Sequence, residues 1–376
     1  MLKGINLTLM IGPAVPIPVS QDILEALTSI EVTSYAGSEQ SGFELNFTLS
    51  KRSPLHTLFL VSGGAPIPFV RVVIMVTMNG TPEVLMDGVM THHQVQPGSG
   101  GGEATLTVQG KDLTALMTLF DFSGFPFPAM PFFTRVLLIL AKYAAFGIIP
   151  KVIPSIMEDL PIPIERIPRQ QGTDLEYIHL LANAAGYVFF LEPGPAPGVN
   201  FAYWGPEIKV GVPQPALNID MDAHTNVESL SFRFDKEKKE TPVIFIHERF
   251  SKAIIPIPIP DITPLNPPLG LVPPLPPKVT YLEDTADMPP LRAALRGVAY
   301  ASQHADAVFG SGSLDVLRYG KILKSRRLVG VRGAGQAFDG LYYVTKVTHA
   351  IKRGEYKQNF ELSRNGLIST VPEVPV

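Results

Sequence analysis

Residues 41–50, SGFELNFTLS, alternate strictly: Phe43, Leu45, Phe47 and Leu49 share one side, Glu44, Asn46 and Thr48 the other. That is the period-two pattern of a strand with one buried face. FVRVVIMVTM and PEVLMDG, within residues 69–88, form a second apolar pair joined at Asn79-Gly80, a strong two-residue hairpin signal. VLMDGVMTHHQVQPGSGGGEATLTVQGKDL, residues 84–113, continues as a further hairpin. Residues 1–112 thus predict one antiparallel unit.

The period changes over 113–205. Residues 133–147 and 174–185 predict helices. In the second, Thr173 or Asp174 caps a face of Leu175, Ile178, Leu181 and Ala182, and Gly186 stops it before an apolar strand. Strands return at 227–250, where Leu230, Phe232 and Phe234 alternate with Ser231 and Arg233. Residues 254–278 are proline-dense, which disfavours helix and central strand and predicts an extended surface arm. A helix is expected over 290–308, and a Gly-rich stretch over 310–340. LYYVTKVTHAIKRGEYKQNFELSRNGL, residues 341–367, then alternates, turns at Lys352–Glu355 and alternates again.

Counting outward from the turn at 352–355 gives a register. Ile351 faces Tyr356, His349 faces Gln358 and Val347 faces Phe360 on an apolar face. Ala350 faces Lys357, Thr348 faces Asn359 and Lys346 faces Glu361 on a polar one. Counting from a loop at 96–102 in the earlier hairpin places Met90 opposite Val108, Thr91 opposite Thr107, His92 opposite Leu106 and His93 opposite Thr105. Met90-Thr91-His92 then falls on Val347-Thr348-His349. The chain predicts a mainly β fold with α+β insertions and a duplicated barrel or sheet element.

Composition narrows the function. The 376 residues are 45% hydrophobic and 17% charged, with net charge −3 and no cysteine. A multi-domain, well-buried protein follows, without disulfides or cysteine metal sites and without a global basic field for nucleic acid. No signal-peptide cleavage pattern stands at the start. Residues 131–149 approach the length of a membrane span, but Arg135 and Lys142 lie inside, so a core or interface helix is the expectation.

No Walker A, HExxH or GxSxG pattern occurs. The glycine run 98–102 suits a hairpin loop. His92, His93 and His349 suit sheet positions better than a metal site, Asp220 and Asp222 a solvated edge, and the run 235–240 a mixed-charge turn. Lys324, Arg326 and Arg327 form the only dense basic cluster and are the candidates for partner contact. No catalytic, cofactor or metal residue is expected.

SGFELNFTLSKRSPL, VQGKDL, GTDLEYIHLLANAAGYVFF, GSGSLDVLRYGKILKSRRLVGVRGAG and the terminal hairpin, in this order, resemble the phage late control protein D family. Those are baseplate hubs of contractile tails and related injection systems. The chain is also similar to the hub part of type VI secretion spike proteins (valine-glycine repeat protein G). The resemblance implies two tube-like antiparallel β-barrels, at 1–112 and at 206–250 with 335–376. The α+β insertion would be 113–205, and 251–334 the proline-rich arm, helix and Gly-rich insertion.

It further implies a structural homotrimer assembled in the cytoplasm, part of a phage virion baseplate or injection-system particle. The trimer would join a sixfold inner tube or tube initiator above to a separate threefold spike below, beside other baseplate proteins. Thr91, His93, Thr105, Thr107, Lys346, Thr348, Lys357, Asn359 and Glu361 are expected to line its channel. The rival readings are a cell-wall-trimming tail hydrolase and a peripheral membrane protein anchored by 131–149.

Overall fold

The computed structural model describes residues 4–13, 15–50, 53–55, 69–98, 103–155, 167–247, 253–260, 266–274, 278–286 and 288–371. The first unit contains β1 (Ile5–Gly12), β2 (Ile17–Pro18), α1 (Gln21–Ala26), β3 (Leu27–Tyr35), β4 (Gly42–Leu49), β5 (Arg71–Met78), β6 (Thr81–Gln96) and β7 (Ala104–Asp112). The alternation in β4 is realised in full: Phe43, Leu45, Phe47 and Leu49 are buried and the residues between them half-buried. Asn79 and Gly80 both have positive φ, 49° and 80°, as the tight turn between β5 and β6 requires.

The next stretch is α2 (Phe132–Ala141), β8 (Ile148–Val152), α3 (Asp174–Ala185), β9 (Val188–Pro193) and β10 (Asn200–Gly205). It has its own core, which includes Phe127, Val136, Leu140, Ile178, Leu181, Phe189 and Trp204. Thr173 and Glu176 close a reciprocal cap at the start of α3, and Gly186 ends it at φ 71°. α2 is shorter than predicted, ending at Ala141. Its ten residues rise only about 15 Å, and no described helix is long and apolar enough to cross a membrane. The two charges of this segment have partners inside the fold. Arg135 donates to the Met130 carbonyl and the Tyr177 hydroxyl. Lys142 bonds Asp174, which is fully buried and also accepts from Tyr143 and Gln170.

The remainder contains β11 (Gln214–Asn218), β12 (Ser229–Phe234), β13 (Glu240–His247), β14 (Ile254–Pro258), β15 (Gly270–Val272), β16 (Lys278–Leu282), α4 (Pro290–Gln303), β17 (Val308–Asp315), α5 (Val316–Tyr319), β18 (Leu328–Arg332), β19 (Gly340–Lys352), β20 (Glu355–Arg364) and β21 (Leu367–Ser369). Thirteen strands form one sheet in the order β12-β17-β20-β19-β3-β4-β7-β6-β5-β1-β2, with β18 also on β19 and β11 on β18.

This redraws the expected boundaries. β17 and β18, inside the span 251–334 expected as an insertion, belong to the main sheet. β13, expected in the second barrel, leaves it to form a three-stranded sheet with β14 and β16 under α4. Along its described length the proline-rich segment includes a strand, β14, that is exposed throughout, and it is also tied to the rest of the fold. Ile259 is buried against Ile244 and Gly297 beneath α4, and β15 pairs with β21. β14 holds Pro256 and Pro258 at the outer edge of its sheet, the place where a missing N–H is tolerated.

The late hairpin has the register counted from its turn, with every predicted pair present. On its apolar face His349 and Gln358 are buried with partners: His349 Nδ1 lies 2.8 Å from the Tyr356 hydroxyl, and Gln358 exchanges two hydrogen bonds with the Leu323 backbone. The insertion is riveted to the main sheet by Arg71 on β5. Its guanidinium grips Asp87 through two bonds of 2.7 Å and reaches the Phe146 carbonyl, while Asn200 of β10 donates to the same carboxylate. Both charges are buried.

Two stability measurements follow. Asp87→Ala leaves the Arg71 charge buried with its carboxylate removed and should cost about 3–5 kcal/mol, read by chemical denaturation. Burial, then the nearby Lys324 charge, holds His349 down to about 3. The unfolded imidazole takes up a proton near pH 6.5 while the folded one does not. Stability should therefore fall by about 1.4 kcal/mol per pH unit as pH drops below about 6 toward the folded value. His349→Gln should remove that slope when the two unfolding curves are compared between pH 4 and 7.

Candidate assembly surface

A side chain on one face of a strand has its lateral neighbours on the same face of the next strand. Following the registers from Thr348 leads to Asn359 on β20, Ser313 on β17 and Ser229 on β12 in one direction, and to Thr33 on β3 in the other. From Glu31 on β3 the path runs to Glu44 on β4, Gln109 on β7 and His92 on β6. One polar face therefore crosses eight strands and both halves of the chain. The opposite face of the same strands carries the principal core, including Val32, Leu45, Leu106, Val108, Val347 and Phe360.

The polar face is knit by short side-chain bonds. Thr33 and Thr348 hydroxyls are 3.1 Å apart, bridging residues on either side of the junction between halves. Ser229 pairs with Ser313 at 2.8 Å and Ser231 with Ser311 at 3.1 Å. Thr107 donates to Asn46 at 2.7 Å, and Asn46 donates to Ser29 and Glu44. Gln109 donates to Glu44, and these bonds, with that from Asn46, hold its carboxyl below the usual range. Lys346 pairs with Glu361 at 3.3 Å, and Lys357 with Glu228 and Glu355. The surface is hydroxyl- and amide-rich, and its charges largely compensate one another.

The early hairpin departs from the counted register. Gln96 pairs with Thr105, Gln94 with Thr107, His93 with Val108 and His92 with Gln109, and a bulge at Thr91 separates these from Met90 opposite Gly110. The described loop thus begins after residue 96, and the bulge adds one residue to β6, which flips every later side chain to the other face. His92 and Gln94, rather than His93, stand in the polar ladder with Thr105 and Thr107. His93 shares the face of Val108. Thr91 sits at the bulge and donates to the Gln109 carbonyl at 3.3 Å.

β19 has a bulge of its own, between Val344 and Lys346. Matching bulge to bulge aligns Met90-Thr91-His92 with Val344-Thr345-Lys346, and Gln94 with Thr348. The duplication is real at the level of topology, β5-β6-β7-β4-β3 against β18-β19-β20-β17-β12, but shifted by three residues from the sequence alignment.

Several ladder residues lie outside the expected set: Ser29, Glu31, Thr33, Ser229, Ser231, Ser311 and Ser313. For Ser311 and Ser313 the signal was the Gly-Ser alternation at 310–313. Gly310 and Gly312 occupy the core side of β17 because a Cβ there would fall 2.8 Å from Phe232 and 2.8 Å from Phe360.

The basic cluster is dispersed within the fold. Lys324 pairs with Glu83 at 2.9 Å, Arg327 lies 3.9 Å from Glu192, and the Arg326 guanidinium stacks 4.0 Å over Phe190, where burial lowers its pKa. Among the described residues no group of three or more His, Asp or Glu is placed to hold a metal. A cavity of about 380 Å³ between β1, α1, β3 and the β19–β20 turn is lined by Ile5, Leu24, Leu27 and Ile351, with Glu25 and Arg353 among its polar groups and no histidine.

No protein-family model and no curated protein matches the chain. Solved structures do match. A tail protein from Neisseria meningitidis aligns with TM-score 0.62 at 12% identity, over 97% of this chain and 98% of that one. A 43 kDa tail protein of a Shewanella oneidensis prophage aligns with TM-score 0.60 at 15% identity, over 96% and 98%. An Escherichia coli component of the type VI secretion system, described as similar in structure to phage T4 tail proteins gp27 and gp5, aligns with TM-score 0.52 at 12% identity, over 93% and 78%. The mainly β architecture of this chain is thus a fold shared with these phage tail proteins and this type VI secretion component.

Proposed function

We propose that this chain is the structural hub of a contractile tail or phage-like injection apparatus. Three copies form a ring that joins a sixfold inner tube to a separate threefold spike. The observation that carries this is the continuous polar face. It draws equally on two topologically equivalent halves, so three chains present six equivalent wall segments. The wall is wetted by hydroxyls and amides, while its exposed ion pairs contribute only about 0–1 kcal/mol each. Stability therefore does not account for the face, and a water-filled passage does. Thr105, Thr107, Lys346, Thr348, Lys357, Asn359 and Glu361 line that passage in this reading, with His92 and Gln94 taking the place expected of His93. The role is assembly and load transfer, with particle assembly in the cytoplasm before release or docking.

Light scattering of the hub co-expressed with its spike should give a mass of three hub chains plus that of the spike. A monomer indifferent to the spike would end this reading. Lys346→Glu should change stability by less than about 1 kcal/mol and leave the assembled mass intact. It should reduce delivery of the particle's contents, scored as ejection per particle counted by electron microscopy. Unchanged delivery would remove the channel assignment.

A further inference from the structure

Away from the polar face, one buried cluster gathers groups able to react with one another. The link between β10 and β11 carries Glu207 and Lys209, and Asp306 stands just before β17. Lys209 is only 4% exposed. Its Nζ lies 2.9 Å from Asp306 Oδ2 and 3.7 Å from Glu207 Oε2. Ser363 on β20 donates to the same Asp306 oxygen at 2.5 Å. Tyr343, which faces Ser363 across the β19–β20 pair, sets its ring 5.3 Å from Lys209 Nζ and its hydroxyl against Glu207. An amine, a carboxyl group and a second carboxylate, largely withdrawn from water, are the parts that amide formation needs.

We infer that Lys209 and Asp306 become joined by a side-chain amide bond, formed within the folded chain with Glu207 as proton carrier. The atoms balance inside the cluster. Nζ attacks Asp306 Cγ, a C–N bond forms and the bond from Cγ to Oδ2 breaks. The two protons that the ammonium loses leave on that oxygen as water, and Glu207, which carries them, ends as it began. Nothing is oxidised or reduced, so no co-reactant is required.

The surroundings favour these roles. The Ser363 hydrogen bond falls on the departing oxygen. Burial raises the pKa of Glu207, making it a stronger base than an exposed carboxylate. Burial opposes the charge on Lys209, but Asp306 and Glu207 outweigh it and raise its pKa. The nitrogen is therefore a nucleophile only when Glu207 takes its proton, so the reaction is slow and runs once per chain. Backbone contacts hold the reactants in place. The Tyr203 hydroxyl donates to the Pro206 carbonyl at 2.6 Å, and Ala307 donates to the Arg364 carbonyl while accepting from the Asp235 amide. Fixed approach of this kind replaces a high concentration of reactant. The two residues are 97 positions apart, and the β13–β14–β16 sheet and α4 lie between them in the chain. With no cysteine in the sequence, no disulfide could supply such a tie.

The bond is independent of the hub reading. Mass spectrometry of the denatured full-length chain tests it. The chain should weigh one water less than its sequence requires, and digestion should release a branched peptide joining the segments around Lys209 and Asp306. Lys209→Arg keeps the positive charge and should restore the full mass. Glu207→Gln should slow the water loss, followed after synthesis, by about 100-fold or more, with an unchanged circular dichroism spectrum. Full sequence mass in the wild-type chain after prolonged incubation at neutral pH would overturn the bond. So would a water loss that survives Lys209→Arg, which marks a cyclised aspartate elsewhere. An equal rate in Glu207→Gln would overturn the role of Glu207. The branched peptide decides the bond in the wild-type chain even where a variant fails to fold.

Discussion

The pairing of β3 with β19 is the contact on which the rest depends. It joins residues 29–35 to 346–352 and so merges two duplicated halves into one sheet. Without it the polar face would be two patches, and the apolar faces of Ile30, Val32, Val347 and Ile351 would lose their shared cover. A seam of this kind fixes more than proximity. Because side chains alternate at period two, a slip of β3 by one residue would send Thr33 into the core and Val32 into water. Hydrophobic burial thereby enforces the polar continuity of the opposite face.

The insertion adds rigidity at a different point. Arg71, Asp87 and Asn200 tie β5, β6 and β10 together where the sheet meets a second core. Removing one charge from such a group is costly, although the group as a whole need not stabilise the fold over an apolar substitute. Its contribution lies in direction. The planar guanidinium binds both carboxylate oxygens at once, which sets the angle between two layers more tightly than apolar contact does.

The elements readable from sequence were those whose signals are local. β4 alternates without interruption, Asn79-Gly80 specifies its turn, Thr173 and Glu176 cap α3, and Lys352–Glu355 fixes the late register. The misread elements depend on distant partners. The bulge at Thr91 leaves no compositional mark, since threonine suits strand and bulge alike, and it is set by the strand opposite. β17 looked like a glycine-rich linker because Gly310 and Gly312 make room for Phe232 and Phe360, neighbours contributed by other strands. The proline-rich segment was legible as extended but not as attached, since its anchors, Ile259 under α4 and β15 on β21, lie in tertiary contacts. Of the polar face, the late hairpin was readable residue by residue, β12 was readable as an alternating strand but not as part of that face, and β3 and β17 were not read.

The seam has a consequence for synthesis. The Thr33–Thr348 contact spans 315 residues, and ribosomes add about 5–20 residues per second. β3 must therefore wait about 15–60 s on the nascent chain before its partner exists. Through that interval one edge of a β-branched strand, TSIEVTS, stays open to any passing backbone, including its counterpart on a neighbouring ribosome. Slow translation, or crowded polysomes, would then favour aggregation in proportion to the delay. Yield of the folded protein is thus tied to the pace of the ribosome between the two strands as much as to the stability of the finished sheet.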